Sequence, residues 1–219
     1  MNTLVISDLH SPYIHPEAAK FLGELKKKYN PKSVVCIGDI LDEHTLSRFQ
    51  HSTKSSGPAM ELNESINALL PIYKIFPEVK VCLGNHDLRY RRQAETIGIP
   101  GDYIRELKDV IKAPVGWEFA ESWDIGGVHY FHGDGFTGNQ AALNVIKTKF
   151  KNTVYGHTHQ ASIQYFNGLW SMNVGCLINP DSFAFEYAKN FKSSVALGCG
   201  IITNDGFGPV PHYFPLITK

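Results

Sequence analysis

Aspartate, asparagine and histidine recur in this chain where apolar runs stop. In order, the runs end at Asp8-Leu9-His10, Gly38-Asp39-Ile40-Leu41-Asp42, Gly84-Asn85-His86-Asp87, His132-Gly133-Asp134 and Gly156-His157-Thr158-His159. Taken singly, each has an ordinary explanation. Asn85 or Asp87 could cap a helix, and His132 could be a hydrogen-bonded interior imidazole. Taken together they gather carboxylates, an amide and imidazoles, a donor set that suits Mn, Fe or Zn; an oxygen-only set would suit Mg or Ca. The seven donors Asp8, His10, Asp39, Asn85, His132, His157 and His159 exceed what a closed structural zinc site uses. They suit a two-metal site, in which paired ions clamp the attacking and leaving oxygens of an in-line displacement. One carboxylate must then serve both ions, and Asp39, between the first and third motifs, is the natural candidate. Two divalent ions outweigh Asp8, Asp39 and a bridging hydroxide, so the centre stays positive, as a phosphate substrate requires.

The elements that must carry these residues can be read from periodicity. Leu4-Val5-Ile6, Val34 to Ile37 and Val79 to Leu83 read as buried strands. Ala18, Phe21, Leu22, Leu25 and Tyr29 recur at helical spacing, with Asn30-Pro31 as the stop. Leu62, Ile66, Leu69, Leu70 and Tyr73 mark a second helix, with Pro71 as an expected kink or early end. This β-α-β-α-β start implies neighbouring parallel strands with helices on the sheet face. Ligands in such sheets collect at the carboxyl ends of the strands, where Asp8, Asp39 and Asn85 fall. The second half is richer in hairpins: Trp123 to Phe131 around Gly126-Gly127, and Ala161 to Val174 around Asn167-Gly168. A helix is expected from Asn139 to Phe150, a strand at Thr153-Val154-Tyr155 and a last strand from Ser194 to Thr203. No repeat or linker interrupts the chain, so residues 1–219 read as one domain with two sheet halves.

Composition bounds the function. Twenty-one Lys+Arg balance twenty-one Asp+Glu among 219 residues, which argues against a dedicated duplex-DNA binder. A 43% hydrophobic content argues against disorder. The four cysteines form no C-x-x-C pair and read as buried thiols. No basic leader or long apolar stretch is evident, so a soluble cytoplasmic protein without a membrane partner is expected. His15, His212, His44 and His51 read as surface residues, and His129 should point away from His132 on a shared strand.

The five motifs resemble those of the calcineurin-like metallophosphoesterases: D-x-H, G-D-x-x-D, G-N-H-[DE], H and G-H-x-H. The resemblance implies a four-layer αββα sandwich, an α/β fold of two mixed sheets flanked by helices. It implies that Asp8, His10, Asp39 and His159 hold one divalent ion and that Asp39, Asn85, His132 and His157 hold another. Mn²⁺ is expected, with Fe, Zn or Ni as alternatives. His86 would sit over the phosphate as proton donor or charge stabiliser, with Asp42 fixing its tautomer. A metal-bridging hydroxide would attack phosphorus directly. The expected activity is hydrolysis of a phosphomonoester or phosphodiester of a nucleotide or nucleic acid; single-stranded or nicked DNA is the nuclease variant of that reading.

Two departures narrow this. Phosphoprotein phosphatases of the superfamily continue G-D-x-x-D with Arg-Gly, whereas Asp42 here precedes Glu43-His44, and Asp87 replaces Glu after Gly84-Asn85-His86. A substitute phosphate-binding cation would come from Arg89, Arg91 or Arg92, with Arg89 nearest His86 and Asn85 a further substrate contact. Tyr13, Tyr90 and Phe136 are candidates to stack on a base. A silent binding scaffold on the same fold, as in a retromer subunit, is the contrasting class; the intact histidines His10, His86, His132, His157 and His159 argue for catalysis. Oligomeric state is not legible.

Overall fold

The computed structural model describes residues 2–47, 55, 57–185 and 195–217. His51, one of the expected surface histidines, lies outside the described residues. Among the described residues, eleven strands build two mixed sheets. The first sheet takes β1 (Thr3–Ile6), β2 (Ser33–Cys36), β3 (Glu78–Cys82), β4 (Gly116–Ala120), β10 (Gly198–Asn204) and β11 (Pro209–Pro215), in the order β11-β10-β1-β2-β3-β4. The run β1-β2-β3-β4 is parallel, and β10 and β11 add antiparallel partners. The second sheet takes β5 (Ser122–Ile125), β6 (Val128–Phe131), β7 (Asn152–Tyr155), β8 (Ala161–Phe166) and β9 (Leu169–Val174), in the order β5-β6-β7-β9-β8.

Alternation along β1 explains the layering. Leu4 and Ile6 face one way and pack on α1 (Ala18–Tyr29) and α2 (Pro58–Ile75) through Leu22, Leu25, Leu69 and Ile72. Val5 faces the other way and joins Val35 and Ile37 against Tyr130, Val154, Met172 and Val174 of the second sheet. Successive side chains of a strand point to opposite faces, so one apolar run fills two cores. The outer face of the second sheet is covered by the helix Ala141–Lys149, whose Ala141, Ala142 and Val145 meet Phe131 and Tyr155. The layers are therefore helix, sheet, sheet, helix, the αββα sandwich.

Register sets the functional rim. Ile6 lies beside Cys36 and Cys36 beside Val81, so β1, β2 and β3 end level. Tyr130 lies beside Val154, so β6 and β7 also end together. The five motifs leave from these five strand ends.

Several elements differ from expectation. α2 continues to Ile75 through Pro71, supported by Leu69 and Ile72 packed below it. β4 was not anticipated; Trp117 anchors it, with its indole N–H donating to the Phe76 carbonyl at 2.8 Å. Pro209–Pro215 form a strand that was not anticipated. Pro209, Pro211 and Pro215 sit on an edge strand, where a missing N–H costs no ladder bond. His15 and His44 are both buried, each only 8% exposed, and not at the surface. The expected strand from Ser194 begins at Gly198 among the described residues.

Met172 is fully buried between the sheets. Met172→Ala should lower unfolding stability by about 2–5 kcal/mol in urea titrations. A loss well below that range would mean that the two sheets do not share a packed core.

Candidate metal centre

Each functional side chain projects from a turn at a strand end, and the turns are conformationally demanding. Asp8, His10, Asp39, His157 and His159 all have positive φ, between 45° and 68°. Non-glycine residues rarely adopt this region, although Asp and His are among the more tolerant. Two glycines make the approach of the turns feasible. A Cβ on Gly84 would collide with Asp39, and one on Gly156 with Ser7 and Asp8.

Asp87 ties two of these turns together. One carboxylate oxygen accepts the N–H groups of Ile40 at 2.8 Å and Leu41 at 3.1 Å, and the other accepts the Gly84 N–H at 3.0 Å. Burial and the nearby Asp39 charge push its pKa up to about 7, against the pull of these donors. The residue that departs from the Glu variant of the motif thus fastens the second motif to the third.

The seven candidate ligands converge. His10 Nε2 lies 3.8 Å from Asp8 Oδ1, 3.7 Å from Asp39 Oδ2 and 3.0 Å from His159 Nε2. His159 Nε2 is 3.4 Å from Asp8 Oδ1. On the other side, His132 Nε2 lies 3.3 Å from Asp39 Oδ2, 3.0 Å from Asn85 Oδ1 and 3.2 Å from His157 Nδ1. Asp39 Oδ2 faces both groups.

Protonation follows from the second nitrogens. His10 Nδ1–H donates to Asp42 Oδ1 at 2.7 Å, and His132 Nδ1–H donates to the Ile37 carbonyl at 3.1 Å. Both Nε2 atoms therefore present lone pairs to the centre. Asp8 Oδ1 is buried and has no hydrogen-bond partner among the described residues. Bare acceptors aimed at one another repel, and a cation is what satisfies them. The field agrees. Burial disfavours charge on His10, yet Asp42, Asp8 and Asp39 outweigh it and push its pKa up to about 10. His132 is pushed up to about 9, again against burial, chiefly by Asp39. Asp8–His10–His159, His10–Asp39–His86 and Asp39–His132–His157 each bring ligand atoms within 4.8 Å of one another. The donor set fits divalent ions.

His86 lies within ligand reach of His10 and Asp39, but both of its ring nitrogens are engaged elsewhere. Its Nδ1–H donates to the Asp42 carbonyl at 2.9 Å, with Asp42 Oδ1 farther away at 3.4 Å. The Asp42 side chain thus has His10 as its close partner, and the tautomer of His86 is fixed mainly by the backbone. Arg89, the first residue of α3 (Arg89–Thr96), donates through Nη2 to His86 Nε2 at 2.8 Å and through Nη1 to the Asp42 carbonyl at 2.8 Å. Burial, His10 and Arg89 lower the His86 pKa. Arg92 instead bonds the Asn85 carbonyl, and Arg91 pairs with Glu106 at 3.1 Å.

Among the aromatic candidates, Tyr13 packs on Phe183 and Phe185, and Phe136 packs on Phe131. Phe185 was not anticipated; its ring centroid lies 5.6 Å from His10 and 6.4 Å from His159. No motif surrounds it, so only the fold reveals it. Phe183 stands 5.2 Å from Tyr13 and 5.7 Å from His44. His129 turns away from His132, as expected, and pairs with Asp124 at 3.1 Å.

Residues 1–188 match the calcineurin-like phosphoesterase superfamily domain, and the chain belongs to that family. It is a metal-dependent hydrolase of phosphoester bonds. The chain is 26% identical over 259 residues to the gene 54 protein of Mycobacterium phage D29, covering 98% of this chain and 93% of that protein. It is 25% identical over 244 residues to the gene 54 protein of Mycobacterium phage L5, with the same 98% and 93% coverage. A solved archaeal phosphodiesterase superimposes with a TM-score of 0.51 at 17% identity, over 98% of this chain and all, 100%, of the other. Vacuolar Protein Sorting 29 from Cryptosporidium parvum gives a TM-score of 0.51 at 16% identity, over 98% of both chains. These two likenesses show the fold. No helix among the described residues is long and apolar enough to cross a membrane.

Glu43, next to Asp42, is buried, and burial pushes its pKa from 4.5 up to about 8. Between those values the folded chain keeps a proton that the unfolded chain has lost, so this group's contribution to stability falls as pH rises from 4.5 to about 8. Glu43→Gln should therefore gain stability relative to wild type between about pH 5 and about pH 8.5 in paired urea melts. A difference that does not change with pH would place the folded-state pKa near its ordinary value.

Proposed function

We propose that the chain is a binuclear phosphoesterase that hydrolyses a phosphomonoester or phosphodiester of a nucleotide or short single strand. The carrying observation is Asp39 Oδ2, which faces His10 Nε2 at 3.7 Å and His132 Nε2 at 3.3 Å and so belongs to two ligand groups at once. Asp8, His10, Asp39 and His159 would hold one ion; Asp39, Asn85, His132 and His157 would hold the other. The mixed imidazole and carboxylate set favours Mn²⁺, with Fe, Zn or Ni next. Bound there, the ions would supply Lewis acidity towards the phosphoryl oxygens and an activated water.

The remaining work falls to side chains of this protein. Arg89 would serve as the substitute phosphate-gripping cation, a role supported by its guanidinium, which points at His86 Nε2. A phosphate oxygen that accepts from Arg89 Nη2 would take over this bond and free the Nε2 lone pair of His86 to take up a proton from water and pass it to the leaving oxygen. The Asp42 carbonyl keeps the ring oriented through Nδ1. Phe185, Phe183 and Tyr13 form an aromatic wall next to His10 and His159, which supports a base-bearing substrate. The balanced charge of the chain, zero with histidine neutral, favours small or short substrates over long duplex DNA.

Residues 1–219 are read as one domain, because β10 and β11 complete the sheet that β1 begins. The described structure keeps all four cysteines buried and unpaired, which suits a reducing cytoplasm.

Purified protein with Mn²⁺ should hydrolyse chromogenic phosphate esters, and a panel of nucleotides, cyclic nucleotides and single-stranded DNA should resolve the class. His86→Ala should lower kcat by about 10²–10⁴-fold while metal analysis still finds both ions. Asp39→Ala should lose activity and metal together. Full activity in Asp39→Ala would overturn the ligand assignment. Turnover of phosphopeptides alone would overturn the substrate class.

A further inference from the structure

A cavity of about 460 Å³, apart from the metal centre, is bordered by Leu41 and Glu43, on either side of Asp42 in sequence. Leu41, Leu46, Leu62, Tyr90, Ile99 and Ile104 give it apolar sides. None of the candidate metal ligands lines it. The helical turn His44–Leu46 separates the two spaces. His44 faces Asp42 and the rings of Tyr13 and Phe183, whereas Glu43, Thr45 and Leu46 border the cavity. The volume falls in the range of small-molecule sites.

Two carboxylates border this apolar space, and they differ in what remains unspent. Glu61 is fully engaged: Oε1 accepts the His44 N–H at 2.7 Å, and Oε2 accepts the Thr45 N–H at 2.9 Å and its hydroxyl at 2.5 Å. Glu43 is 9% exposed, and its Oε2 accepts the Tyr90 N–H at 2.9 Å. Its Oε1 has no hydrogen-bond partner among the described residues. Arg105, the cation on the cavity wall, donates instead to the Asp109 carbonyl at 2.9 Å. The cavity thus combines apolar walls, two carboxyl groups and, on Glu43, one carboxyl oxygen with no donor among the described residues.

We propose that this cavity is an accessory binding site for a small apolar amine, with an aromatic or aliphatic body against the leucine and isoleucine walls and its ammonium on Glu43 Oε1. An anionic ligand would meet both carboxylates, and a hydrocarbon would leave the Glu43 oxygen unpaired. Occupancy would bear on the Glu43–Tyr90 bond, adjacent in sequence to the Asp42 and Arg89 groups that hold His86.

Tryptamine is a suitable probe, with indole-3-propionate as an acid of the same shape. Titrations use the Mn²⁺-loaded full chain, so that the acidic centre does not take up the amine. Because the Glu43 pKa is pushed up to about 8, they are run at about pH 9, where both partners are charged. The expected result is saturable 1:1 binding of tryptamine, with the acid at least about tenfold weaker. Glu43→Gln should weaken tryptamine binding by roughly tenfold, and Leu62→Trp, which fills the cavity, should abolish it. Ala94→Leu gives a second filled cavity if the Trp variant does not fold. No saturation up to about 5 mM tryptamine, equal binding of the acid, or unchanged binding in the folded filled variant would overturn the proposal.

Discussion

Lone pairs that face one another at a largely buried centre set the terms for this molecule. The Asp39 carboxylate lies between the Nε2 atoms of His10 and His132, and each imidazole has already used its Nδ1–H elsewhere. Asp8 Oδ1 adds a further buried acceptor with no donor. Such an arrangement is unfavourable by itself, because desolvated acceptors repel and have lost their water. Positive charge at the centre turns the same repulsion into binding energy. The raised pKa values of His10 and His132 express that demand in the language of protons. A divalent ion meets it without using a proton.

Holding acceptors in this way requires a rigid frame, and the frame is the pair of sheets. Five strands, parallel to their neighbours within each sheet, deliver their carboxyl ends to one rim, and the inter-sheet core of Val5, Val35, Tyr130, Val154 and Met172 fixes the rim's two halves against each other. The turns beyond the strands then adopt strained conformations, on the order of 1–3 kcal/mol each for left-handed non-glycine residues at worst. Asp87 offsets part of this by satisfying three backbone N–H groups that the turns leave open. Gly84 and Gly156 allow the contacts that a Cβ would forbid. Packing, strain and chemistry therefore meet at the same few residues, and a function that needs converging acceptors explains why the chain tolerates them.

Much of this could be read from sequence, for a physical reason. Apolar runs that stop at Asp, Asn or His mark strand ends whatever their partners, so β1, β2, β3, β6 and β7 and the seven donors were legible. The hairpin β8–β9 announced itself through Asn167-Gly168. β11 was not legible, because prolines that break most strands are harmless at an edge, and only pairing with β10 shows which kind this is. Phe185 and the Glu43 cavity were also hidden. Both depend on segments distant in sequence meeting in space, and neither carries a local pattern. His15 misled because a single histidine before a helix says nothing about what covers it; here the Leu177 carbonyl binds its N–H and the residue is buried.

Asp42 shows how far residue types alone can carry a mechanism. Its position in G-D-x-x-D suggests a side chain that fixes the tautomer of His86. In the fold, the carboxylate sits 2.7 Å from His10 and the backbone carbonyl takes the His86 Nδ1–H and an Arg89 N–H. The two duties are divided between side chain and main chain of one residue. A main-chain acceptor is supplied by any amino acid, so the orientation of His86 depends on the path of the turn more than on the identity of residue 42. That path is held by Asp87 through Ile40 and Leu41, on the same strand-end turn. The chemistry proposed for His86 thus rests on a carboxylate that never touches it, which is why motif and mechanism have to be joined through the backbone.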